Sequence, residues 1–118
     1  MKKMKLNKEL NLLMVVDENL LNLPRIEIYS SRKDSNHFMR RLQQRAISWN
    51  MIELAIAYGN FQYYSKALTW TLLDKNLQWT PYKKFVDKLR GLRIIADYKS
   101  SQDTIKLSTA YWAYDLRK

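Results

Sequence analysis

A chain of 118 residues that is 47% apolar and 13% aromatic can bury one core of its own and is too short for two packed lobes. The absence of cysteine excludes disulfide scaffolds, thiolate metal sites and thiol nucleophiles, and a single histidine excludes a site built mainly from imidazoles, so neither a metal nor another cofactor is expected. Twenty-one Lys and Arg against eleven Asp and Glu leave a formal charge of +10, which favours a polyanionic partner, RNA first.

No apolar run approaches the roughly 18 to 20 residues of a membrane span, so no membrane partner is expected and the expected address is the cytoplasm. Residues 5–21 carry Leu6, Leu10, Leu13, Met14 and Leu21 at helical spacing before Asn22 and Pro24. Residues 1–24 are therefore predicted as an N-terminal amphipathic helix, ahead of a single domain over residues 25–118. Ile26 and Ile28 alternate with Glu27 and Tyr29, which predicts a short strand or an extended lead-in. Ser35 and Asn36 offer caps for a basic helix that runs to Arg45, with Phe38, Met39 and Leu42 along its apolar stripe. Ser48 caps a nearly uncharged helix to Tyr58, and Gly59 suits a left-handed residue beyond its end.

Residues 61–64 and 68–73 are aromatic and β-branched and predict a hairpin. Residues 74–82 predict a loop, and residues 83–90 a basic helical turn or loop. Two more strands are predicted over 92–98 and 105–114, joined by the polar turn at 99–103. The order predicts an α+β fold with helices packed on a roughly four-stranded antiparallel sheet. Residues 25–45 and 82–99 each carry a net +4 and hold most of the excess charge.

His37, Arg41 and Arg45 recur at i, i+4 and i+8 and form one polar ridge, flanked by Arg40 and Gln44. A phosphate on this ridge meets charge-assisted donors and one group that exchanges a proton near neutrality. Metal-free RNA cleavage needs such a set: a base for the 2′-hydroxyl, cations for the phosphorane and an acid for the leaving 5′-oxygen. One histidine cannot make both proton transfers at once. Thr109 and Tyr111, two apart on the last strand, face one side of the sheet and supply a phosphate ligand and a proton donor or stacking ring. Lys83, Lys84, Arg90 and Arg93 form the second basic group. Trp49, Trp70, Trp79 and Trp112, with Tyr63, Tyr64 and Tyr98, are assigned to packing, and Asp74, Asp97 and Asp103 to turns or caps.

The run from His37 to Ser48, followed by Glu53, Ala57 and Gly59 and by the closing Thr109-Ala110-Tyr111-Trp112, carries a resemblance. It resembles a small bacterial family of domains of unknown function with the signature His-Ala-x-x-Arg-Met-x-x-Arg-Gly-Ile-Ser and a later strand ending in Thr-x-Tyr. That family is similar to RelE-like toxin ribonucleases of the BECR fold, in which one or two helices precede a curled four-stranded antiparallel sheet. The resemblance spans about residues 25–112. It implies a metal-independent endoribonuclease acting on mRNA or tRNA, with His37, Arg41, Arg45, Thr109 and Tyr111 at the site and an antitoxin or immunity protein as partner. Two departures from the signature matter: Phe38 stands for Ala, which alters access to the histidine, and Ala46 for Gly, which implies a different turn geometry.

Two other functions fit the residues. A nucleic-acid-binding module without catalysis uses the two basic segments for phosphates, although a helix-turn-helix version fails because residues 48–58 hold no Lys or Arg to enter a groove. A protein-interaction unit uses the N-terminal helix to dock on a partner or to form a homodimer.

Overall fold

Leu6, Leu10 and Met14 lie one helical turn apart, and in the computed structural model, which describes residues 2–28, 35–97 and 103–113, they are the buried stripe of α1 (Lys2–Met14). The helix ends there rather than at Leu21. Asp17 takes an extended backbone and its carboxylate accepts the Asn19 amide at 2.9 Å, so it caps a separate short helix, α2 (Glu18–Leu21). A cap at Asp17 and a continuous helix through Asp17 are mutually exclusive. The apolar stripe of α1 joins the single core, while Leu12 on the helix and Val15 and Val16 just past its end are exposed.

The predicted strand forms as β1 (Arg25–Ile28), followed by α3 (Ser35–Gln44) and α4 (Trp49–Tyr58). The capping role predicted for the side chains of Ser35 and Asn36 lies outside the described residues. The end of α3 is a Schellman turn: the Ile47 amide donates to the Leu42 carbonyl at 2.9 Å and the Ala46 amide to the Gln43 carbonyl at 3.1 Å, with Leu42 and Ile47 both buried. Its left-handed residue is Ala46, with φ 57°. Ala46 thus occupies the conformation that glycine favours. Ser48 caps α4 as expected, its Oγ accepting the Met51 amide at 3.3 Å.

Gly59 departs from expectation. Its φ of −66° and ψ of 159° are extended, and what excludes a side chain is proximity: a Cβ would stand 2.3 Å from the Ala55 carbonyl oxygen. β2 (Asn60–Tyr64) and β3 (Ala67–Thr71) then form the hairpin, turned by Ser65 and Lys66 with φ 51° and 64°, the two-residue geometry that matches strand twist. The segment read as a loop holds a helical turn, α5 (Asp74–Leu77), and the basic segment holds a 3₁₀ turn (Lys83–Phe85) and α6 (Val86–Leu89). β4 (Leu92–Asp97) and β5 (Thr104–Trp112) complete the fold. The predicted strand ends at Tyr98 and Tyr114, and residues 99–102 of the intervening turn, lie outside the described residues.

The sheet is five-stranded and mixed, in the order β1-β5-β4-β3-β2. β2 to β5 pair antiparallel, and β1 adds a fifth strand parallel to β5, which corrects the count of four and the purely antiparallel assignment. Parallel pairing of strands distant in sequence requires a long crossover, here the whole chain from α3 to β4. β4 alternates buried Leu92, Ile94 and Ala96 with half-buried Arg93, Ile95 and Asp97. The first set meets α4 and the core; the second lies on the opposite face. β2 is an outer strand, so Tyr63 and Tyr64 are exposed rather than packed. Trp70 is buried, and Trp49 and Trp112 pack on the core as expected. Tyr98 lies outside the described residues.

Candidate nucleic-acid interface

Ile105 and Leu107 of β5 point into the core, and a strict period of two would send Thr109 and Tyr111 after them. The register prevents this. Thr109 is opposite Ile95 while Leu107 is opposite Ala96, so Ser108 is an unmatched extra residue, a bulge. Beyond it Ala110 turns inward, buried opposite Ile94, and Thr109 and Tyr111 share the outer face with Arg93 and Ile95.

On that face Thr71, Arg93 and Tyr111 form one row across three strands. Arg93 Nε donates to Thr71 Oγ1 at 3.0 Å, and its Nη1 lies 3.5 Å from the Tyr111 hydroxyl, with the guanidinium 6.0 Å from the ring centre. Thr71 is 4% exposed and is the buried polar anchor of the row. Arg45, reaching in from the end of α3, places Nη1 2.7 Å from the Ala110 carbonyl and 3.5 Å from Thr109 Oγ1. The same turn is tied back by Trp112, whose indole donates to the Arg45 carbonyl at 2.6 Å. Two guanidiniums thus stand beside two hydroxyls that are roughly 7 Å apart along β5. Each Arg has five donors and leaves several of them for an anion.

The rest of the predicted ridge lies earlier on α3 than the residue that bonds β5. Arg41 Nε donates to His37 Nε2 at 3.2 Å, and both side chains are exposed, as are Arg40 and Gln44. Eight residues of helix set His37 about 12 Å along the axis from Arg45, the residue that bonds β5. Among the described residues no hydrogen bond joins His37 to Thr109 or Tyr111.

Lys83 and Lys84 are exposed. Arg90 differs: its Nε and Nη2 reach Asp74 at 2.6 and 2.9 Å, and Nη1 reaches Asp87 at 3.2 Å. The hydrogen bond from Arg90 holds the Asp74 carboxyl below its ordinary value, against a smaller desolvation. Arg90 therefore works as a clasp between α5 and α6, and its charge is compensated within the protein. Trp79 is 89% exposed, not packed.

Sequence reasoning missed a second polar cluster. Asp17 Oδ2 accepts the hydroxyls of Tyr58 at 2.6 Å and Tyr82 at 2.7 Å, and Asn19 Nδ2 donates to the Tyr58 hydroxyl at 3.1 Å. Burial pushes the Asp17 carboxyl up, but the bonds from Tyr58, Tyr82 and the Asn19 amide together bring it below its ordinary value. Burial first, then the Asp17 carboxylate, pushes both tyrosines up. The cluster locks the α1–α2 turn to the end of α4 and to the segment before α6. Tyr58 and Tyr82 are 24 residues apart, and no local pattern signals the meeting.

Among the described residues there is no group of three or more His, Asp or Glu side chains suited to a metal ion, and no helix long and apolar enough to cross a membrane. No protein-family model matches the chain, and no curated protein or solved structure matches it.

Proposed function

We propose that this domain binds RNA across the outer face of β4 and β5 and cleaves it as a metal-independent endoribonuclease. The observation that carries the reading is the pair of guanidinium–hydroxyl contacts on one strand face, Arg45 with Thr109 and Arg93 with Tyr111. Spare donors of Arg45 and Arg93 take the non-bridging phosphate oxygens and stabilise the charge of the phosphorane. The 2′-oxygen attacks phosphorus and the bond to the 5′-oxygen breaks, leaving a 2′,3′-cyclic phosphate and a 5′-hydroxyl. Tyr111 gives its proton to the leaving oxygen, and the 2′-hydroxyl proton passes to solvent, since His37 Nε2 already accepts from Arg41 two helical turns before Arg45. The left-handed turn at Ala46, where the resembled signature has glycine, supports the kinship with the toxin ribonucleases. An acidic antitoxin or immunity protein would suit the same basic surface.

A second reading, a module that binds RNA without cutting it, is favoured by the seat of His37, which bonds Arg41 and lies two turns before Arg45 on α3. Incubation with total cellular RNA in EDTA separates the two. Cleavage to cyclic-phosphate ends, lowered about a hundredfold or more by Tyr111→Phe at unchanged RNA affinity, supports the enzyme. Intact RNA together with salt-sensitive binding that Arg93→Ala weakens supports the module. Absence of binding at low salt refutes both.

A further inference from the structure

Among the described residues the most exposed large apolar side chain is Trp79, and an indole left in water on a domain with a full core calls for an explanation. The loop that presents it is held on both sides. Leu77 before it and Tyr82 after it are fully buried. Thr80 Oγ1 donates to the Leu77 carbonyl at 2.9 Å and accepts the Tyr82 amide at 3.1 Å, while the Tyr82 hydroxyl is fastened to Asp17. Trp79 is thus displayed from an anchored turn, which lowers the ordering cost of meeting a ligand.

Position and charge identify the ligand. Residues 72–91 join the end of β3 to the start of β4, the end of the sheet where Thr71, Arg93 and Tyr111 form their row. The Leu72 and Gly91 amides, bonded to the Leu92 and Leu72 carbonyls at 2.9 Å, close the base of this connection. Lys75, Lys83, Lys84 and Lys88 are exposed on it, while Arg90 engages both of its carboxylates, Asp74 and Asp87. The connection that carries the indole therefore offers positive charge with its acids already paired. An aromatic face within a cationic surface suits a single-stranded nucleic acid, whose bases stack while its phosphates meet lysines.

We infer that Trp79 is a base-stacking platform for single-stranded RNA on the β3–β4 connection, at the end of the sheet that carries Arg93 and Tyr111. The inference rests on the RNA reading above and adds a subsite to it. A 2′-O-methylated, fluorescein-labelled single strand, which binds without being cut, is the probe for the full chain and for Trp79→Ala, Trp79→Phe and Arg93→Ala. Trp79→Ala should weaken binding about fivefold to a hundredfold, with Trp79→Phe between it and the parent. The slope of affinity against salt should stay unchanged in both, because no phosphate contact is lost, whereas Arg93→Ala should reduce that slope. Unchanged affinity in Trp79→Ala beside weakened binding in Arg93→Ala overturns the platform and leaves the RNA reading standing. A parent that binds no RNA overturns both. A blue shift of Trp79 emission with phosphatidylglycerol vesicles and none with RNA, or self-association lost in Trp79→Ala, also overturns it, in favour of a membrane surface or a second copy.

Discussion

Ala46→Gly should stabilise the domain. The residue at the left-handed position of the turn after α3 has φ 57°, and its amide and that of Ile47 close the Schellman bonds to Gln43 and Leu42. A side chain at this φ costs about 1–2 kcal/mol, and glycine removes that cost while adding roughly 0.5–1 kcal/mol of unfolded-chain entropy. The balance is a gain of about 0.5–1 kcal/mol, or roughly 2–5 °C in the melting temperature of a domain this size. Urea unfolding followed by circular dichroism should show a higher midpoint at the same slope. Gln43→Gly, exposed within the same helix, should lose about 1 kcal/mol, which separates the special site from a general effect of glycine. A midpoint for Ala46→Gly at or below that of the parent would refute the turn geometry.

Leu10 is fully buried in the common core, so Leu10→Ala should cost about 2–5 kcal/mol, by an amount independent of protein concentration; a loss that shrinks as concentration rises would point to a dimeric role for α1. Replacing Ser65 and Lys66 together by Asn-Gly should raise stability by about 1 kcal/mol in chemical denaturation, because both residues hold positive φ, and an unchanged midpoint would argue against that turn. Tyr82→Phe should cost about 1.5–3 kcal/mol through the lost bond to the Asp17 carboxylate. Because Asp17 is held below its ordinary value near 3.8, its stabilisation is present above about pH 4 and fades as pH falls through the folded value. Asp17→Asn should lose that part of the acid-dependent decline. The raised tyrosines act at the other end, contributing below about pH 10 and less as pH rises beyond it. Deletion of Ser108 should cost several kcal/mol by chemical denaturation, since it drives either Thr109 and Tyr111 or Ile105 and Leu107 onto the wrong face; a near-neutral deletion would mean that the bulge does not set the register.

Elements whose side chains answer to local periodicity were legible in the sequence. The helices beginning near Ser35 and Trp49 and the pairing of β2 with β3 follow from spacing, from the cap at Ser48 and from β-branched content. What failed was decided by distant partners. Asp17 reads as an interior residue of a long helix until Tyr58 and Tyr82 converge on it, and Gly59 reads as a left-handed cap until the Ala55 carbonyl and β3 close around it. Trp79 and Tyr64 read as core because aromatic residues usually are; burial depends on which strand is outermost and which turn carries a residue, and neither is encoded within a few positions.

The candidate site divides along the same line. A helical repeat of His37, Arg41 and Arg45 specifies a direction around the helix and nothing about how far along it the sheet makes contact, so the ridge was legible while its partition was not. The placement of Thr109 and Tyr111 on one face was legible from their spacing, but which face depends on a single unmatched residue. Ile105 and Leu107 demand the core, Ala110 and Trp112 demand it again, and the two demands are an odd number of residues apart. A strand can meet both only by inserting one residue between them, and Ser108, exposed and small, is where it does so. The apolar pattern of β5, rather than any feature of the hydroxyls, is therefore what turns Thr109 and Tyr111 toward Arg45 and Arg93.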